Sequence, residues 1–234
     1  MQDTLRNRRF AGAAGLAGAL LFFCGDMLFY GHWGAGATFK EGMLTVLRQG
    51  SLTRLFTGGL VGPVAACLCI IGFWHVRQNI VPCSPLLGRV VFYALVGMMV
   101  AGSALHALWV PRGLAIKYSD TVGPYAPELI GALRRYWEIA YDLTAVPAYF
   151  GAIVLAILVA LGKSLYPRWT VLGNFGLLSL FEPLAARAPA PLGAILVGGF
   201  TNLSIATFFL VSLVSTWNRA GALSTRCSQH DDAD

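Results

Sequence analysis

The sequence predicts an all-α fold: a polytopic transmembrane helix bundle of about six helices. Three observations carry that expectation. Of the 234 residues, 56% are hydrophobic and only 12% charged, with a mean hydropathy of +0.65. A soluble domain carries about 25% charged residues, so lipid rather than water covers most of this surface. The apolar residues gather into stretches of about 20, the length that crosses a hydrocarbon core about 30 Å thick. No stretch alternates with the period of a barrel strand.

The first span is Phe10–Tyr30, preceded by Arg6, Arg8 and Arg9. That run is too long for a signal-peptide core and lacks small residues before Cys24, so it reads as an uncleaved helix. The next spans are Leu55–Val76, Val90–Val110 and Trp137–Leu161. A fifth, Trp169–Leu184, is short and ends at Glu182-Pro183, so it is expected to be tilted, broken or partly interfacial. Leu192–Trp217 is the sixth. Residues 1–220 form one transmembrane domain, and the polar residues 221–234 a disordered tail. Small residues recur at a spacing of four in Ala11/Gly15/Ala19, Gly58/Gly62/Ala66 and Ala194/Gly198/Asn202. That spacing lets helix backbones approach closely.

Two long connections, Gly31–Arg54 and Pro111–Tyr136, fall on one side of a six-span bundle. Glu41–Arg54 places Met43, Leu44, Leu47 and Leu52 among polar residues, the pattern of a short surface helix interrupted by Gly50. Pro124 and Pro127 break the other connection before a helical run from Glu128. Basic residues divide almost evenly between the two sides. The flank of the first helix and the short loops favour a cytoplasmic N-terminus.

The net charge of +6 is spread over loops that meet lipid headgroups, with no basic block for nucleic acid. The five cysteines show neither a disulfide framework nor zinc spacing and read as small packing residues. No paired metal-ligand spacing, nucleophile elbow, phosphate loop or dinucleotide fingerprint occurs, so neither metal nor cofactor is expected.

The informative residues are ionisable groups inside the spans. A charge at the centre of a membrane helix costs about 2.5–3.5 kcal/mol on insertion scales. Threading the helices up and down brings Asp26, His32, His106, Glu138, Asp142, Glu182 and Asn202 to one depth, near the side of the long connections. Glu138 and Asp142, four apart, predict a carboxylate pair on one helix face, one acid and one base. His106 adds an acid, base or orienting group. Asp26 is expected to orient or relay. Asn202, Tyr141, His32 and Glu182 are candidate substrate contacts.

Four stretches resemble a family of small bacterial integral-membrane proteins of unknown function. They are Gly25-Asp26-Met27-Leu28-Phe29-Tyr30, Gly72-Phe73-Trp74-His75-Val76, Ala104-Leu105-His106-Ala107 and Tyr166-Pro167-Arg168-Trp169. The resemblance spans most of the chain and implies a bacterial inner membrane, but brings no activity. The residues themselves lead to a membrane-embedded acid/base enzyme acting on a lipid or isoprenoid, with membrane lipids as partners. A non-catalytic binding, transport or scaffold role is the alternative. A lipid-accessible cavity lined by Asp26, His106 and Asp142 favours the enzyme, and a dry, fully paired cluster the alternative.

Overall fold

Five long apolar helices carry the architecture of the computed structural model, which describes residues 2–33, 38–185, 187–189 and 191–217. They are α1 (Gln2–Tyr30), α3 (Leu52–Gln78), α4 (Pro85–Lys117), α6 (Ala126–Ala160) and α9 (Leu192–Thr216). Each is long and apolar enough to cross a membrane, the make-up of a multi-pass membrane protein. The 221–234 tail lies outside the described residues.

The fifth expected span is not a continuous helix. It is assembled from a 3₁₀ turn (Arg168–Gly173), α7 (Phe175–Leu178), a second 3₁₀ turn (Ser179–Phe181) and α8 (Glu182–Ala185). Gly173 and Gly176 weaken helical propagation, and Pro183 removes a donor. The passage still crosses the bundle. Tyr166, at its start, meets Ser212 in the last turns of α9, and Pro189, beyond its end, accepts from Gly193 in the first. Both ends of the described chain therefore share a face, with the Arg9 guanidinium donating to the Trp217 carbonyl at 2.8 Å.

Both long connections hold more helix than the sequence pattern indicates. In the first, α2 (Phe39–Gln49) opens on a Thr38/Glu41 capping box and stops at Gly50. Ser51 caps α3 at once, so Leu52 belongs to the following helix. Met43 and Leu47 bury against Phe29, Trp109 and Ile116, docking α2 on the bundle end. In the second, α4 runs through Pro111 to Lys117, α5 (Ser119–Val122) follows, and α6 starts at Ala126 with a proline in its first turn. Proline inside a helix forfeits one backbone bond, which membrane helices tolerate when neighbours pack the gap. Pro63 and Pro147 sit inside α3 and α6 in the same way.

The small-residue stripes are close contacts. A Cβ at Gly15 would meet the Gly72 backbone at 2.7 Å, so α1 and α3 touch there. One at Gly198 would strike the Tyr30 ring, fixing α9 against α1. Cations close three helix ends. Arg54 donates to the carbonyls of Met27, Leu28 and Gly31 at 2.7–2.8 Å. Lys117 donates to Arg48 and Gly50 at the end of α2, and Arg9 serves α9. These orphan carbonyls form the negative end of each helix dipole. The end of α6 instead closes through Gly162 at φ 73°, with Gly162 and Lys163 donating back to Val159 and Leu158. Cys83 is disulfide-bonded, which departs from the reading of the cysteines as packing residues; Cys24, Cys67 and Cys69 are free.

Candidate active site

Helices α4 and α6 pack together, as do α1 and α9, while α6 and α9 are held apart by the broken passage. The space between them is a cavity of about 610 Å³. That volume falls within the usual range for small-molecule sites. Phe22, Met98, Met99, Ala148, Phe175 and Ile205 line its apolar part. Asp26, His106 and Asn202 line its wall, and Lys40, Arg112 and Arg134 line it toward the end bearing the long connections.

Asp26, on α1, is buried, and three side chains converge on it. The Asn202 amide of α9 donates to its Oδ2 at 2.6 Å. The Tyr30 hydroxyl, one turn along α1, also faces this carboxyl. His106 Nε2 of α4 stands 3.4 Å from Oδ1. The imidazole is clamped between the Phe22 and Phe29 rings, with centroids at 4.8 and 5.6 Å. Its Nδ1 lies 3.4 Å from the Gly58 carbonyl. Gly58 and Gly62 make room for this geometry, because a Cβ at Gly62 would overlap the base of His106 and one at Gly58 would meet Phe29.

Donor logic constrains the protons. A carbonyl only accepts, so the Gly58 contact assigns a hydrogen to Nδ1. Nε2 then either offers a lone pair to a protonated Asp26 or donates to an ionised one. In both cases an imidazole nitrogen and a carboxyl oxygen face each other across 3.4 Å at the wall of a largely apolar cavity. This is the equipment of a general acid/base pair.

The structure brings most, but not all, of the sequence-derived candidates together. Asp26, His106, Glu138, Tyr141, Glu182 and Asn202 line the cavity; His32 and Asp142 do not. Asp142 is exposed on α6, while Tyr141 and Thr144 supply that helix's lining at the same depth. Successive residues on a helix point about 100° apart, so one residue decides between cavity and exterior. Glu138 forms an exposed ion pair with Arg134 at 2.8 Å. The expected carboxylate pair is thus divided between two surroundings, and the acid/base geometry belongs to Asp26 and His106. The His32 ring packs on Gly42 of α2, with Nε2 buried and lacking a hydrogen-bond partner among the described residues.

Sequence reasoning passed over Tyr30, Lys40 and Arg112 and took Trp137 only as the start of the fourth span. Arg112 was hidden because Pro111 marks a helix end by rule. Once α4 continues, His106, Trp109 and Arg112 follow one another at a spacing of three. Among the described residues no three His, Cys, Asp or Glu side chains are grouped so as to hold a metal.

The model of a family of unknown function, DUF6796, matches residues 1–219, and the chain belongs to that family. No curated protein and no solved structure matches the chain.

Proposed function

We propose that this member of a family of unknown function is a membrane-embedded acid/base enzyme acting on a lipophilic substrate, a lipid or an isoprenoid. Isomerisation, cyclisation and hydrolysis are the reaction classes that suit it. Each needs a proton delivered and a proton removed, with no electron transfer. The observation that carries the reading is the Asp26–His106 pair, its imidazole nitrogen and carboxyl oxygen 3.4 Å apart at the wall of a cavity whose remaining lining is largely apolar. His106 exchanges the proton with substrate, Asp26 sets its position, and Asn202 and Tyr30 hold Asp26. Glu182 and Tyr141 contact substrate from the opposite side. The alternative is a binding or scaffold protein whose polar cluster fastens α1, α4 and α9; the space beside the cluster favours the enzyme.

The test is turnover. Purified protein in nanodiscs of total bacterial membrane lipid is incubated, and the lipids are compared by mass spectrometry with those from Asp26→Asn and His106→Gln. Loss of an acid/base group lowers rate about 10²–10⁴-fold, so both variants should lose the wild-type product. Thermal unfolding serves as the folding control. Product formation undiminished in folded variants would end the proposal.

From the family resemblance we infer a bacterial inner membrane. The basic flank of α1 favours a cytoplasmic N-terminus. A compartment-sensitive reporter fused to the C-terminus tests that orientation, since Trp217 lies beside Arg9.

A further inference from the structure

Arg112 stands beside two indoles, with its guanidinium carbon 4.4 Å from the Trp109 ring and 5.2 Å from the Trp137 ring. The two rings are themselves in edge contact at 5.6 Å. Stacking of this kind satisfies the faces of a guanidinium and leaves its edge donors to be matched. They are not all matched from within. Arg112 Nε and Trp137 Nε1 are both buried, and neither has a hydrogen-bond partner among the described residues. A buried donor without an acceptor costs about 1–3 kcal/mol, and here two lie side by side at the wall of one cavity. Arg134 and Lys40 bring further positive charge to the same end. Glu138 offsets part of it through its ion pair with Arg134, and Glu182 is the other carboxylate there. Arg112 carries no ion pair of its own within the described residues.

We propose that Arg112, with the Trp137 indole N–H and the charges of Arg134 and Lys40, forms the subsite for an anionic phosphate headgroup of an amphiphile whose apolar chain occupies the Phe22–Met98–Met99–Phe175 end of the cavity. This deepens the lipophilic-substrate reading and rests on it for the purpose of the cavity, but not for the binding itself. It also sets a ruler. His106 and Arg112 are six residues apart on one helix, a rise of about 9 Å at 1.5 Å per residue. The group acted on by the Asp26–His106 pair therefore lies roughly that distance from the phosphate, near the junction of headgroup and chain. The planar guanidinium suits a phosphate through paired donors, a geometry that an ammonium cannot reproduce.

The experiment is native mass spectrometry of the full chain released from vesicles of equal phosphatidylglycerol and phosphatidylcholine, with inorganic phosphate as a separate addition. The wild type should retain phosphatidylglycerol at least about tenfold over phosphatidylcholine, a difference of about 1.4 kcal/mol. Arg112→Gln should reduce that preference at least about fivefold, while Tyr166→Phe, which lies outside this cavity's lining, leaves it within about twofold. Should Arg112→Gln fail to fold, the Lys40→Gln/Arg134→Gln double variant, at two exposed positions, takes its place and should reduce the preference as well. Equal retention of the two lipids, retention of inorganic phosphate alone, or an unchanged preference in the folded variant would overturn the subsite. Because no turnover is measured, an anionic preference that survives alongside inactive chemistry leaves the subsite standing and rejects only the enzyme. Turnover without the preference does the reverse.

Discussion

Asp26 shows how one buried side chain organises a membrane site. Its carboxyl takes a 2.6 Å hydrogen bond from Asn202 on one oxygen and faces His106 on the other. Asn202→Leu keeps the volume and removes the donor. Hydrogen bonds between membrane helices average about 0.6 kcal/mol and reach about 1.7, so a loss near the upper figure is expected for this short contact. Reversible unfolding in mixed micelles measures it. Gly62→Ala tests the other partner. Its Cβ would lie 2.9 Å from His106 Cγ, so the ring must shift and turnover should fall even though no polar group is altered. Glu138→Gln is the contrast. The carboxylate is half-exposed and bonded to an exposed Arg134, so the variant should change stability by no more than about 0.5 kcal/mol. An effect above about 2 kcal/mol in the same assay would mean that Glu138 belongs to the buried network.

At the scale of elements, helix ends decide how the spans are joined. Three donors from Arg54 close the end of α1 and tie it to the start of α3. Arg54→Met keeps much of the stem and removes all three, exposing part of the dipole's negative end. A loss of about 1–3 kcal/mol is expected, with faster hydrogen exchange at residues 29–33. The capping box of α2 adds a pH dependence. The Thr38 backbone N–H and then its hydroxyl hold the Glu41 carboxylate below the usual glutamate value. A lowered folded value means that the stabilisation is present above the unfolded value, about 4.3, and is lost as pH falls through the folded one. Docking of α2 should therefore loosen below about pH 4, seen as faster exchange at residues 39–49; Glu41→Gln should abolish that dependence, and Thr38→Ala, which keeps the backbone donor, should only weaken it. The box was legible as Thr38-x-x-Glu41 before an apolar pattern. The Arg54 clasp was not, because its acceptors are backbone carbonyls more than 20 positions away.

Over the whole molecule, a polar network at the face opposite the long connections holds three helices and the start of the broken passage. Arg8 donates to Asn79 at 2.7 Å, and Asn79 donates to Tyr166, whose hydroxyl meets Ser212 at 2.7 Å. His75 closes the group through the Arg8 carbonyl at 2.9 Å. Burial pushes the Tyr166 phenol up to about 12. A raised folded value gives stability that is complete below the unfolded value of about 10 and is lost as pH rises toward about 12. Thermal stability should fall across that alkaline window in the wild type, and Tyr166→Phe should flatten the step while lowering stability at neutral pH by about 1–3 kcal/mol. By itself the sequence determined that the chain is a helical membrane protein, roughly where each span runs, and that Asp26, His106 and Asn202 share a depth. Hydropathy, length and position along a helix are local properties, readable one residue at a time. Tertiary structure decided the rest. Helix rotation turned Tyr141 toward the cavity and Asp142 away, the continuation of α4 through Pro111 placed Arg112 on the His106 face, and the broken passage kept α6 and α9 apart. Rotation and separation depend on how side chains from distant segments pack, and no single stretch of sequence contains both partners.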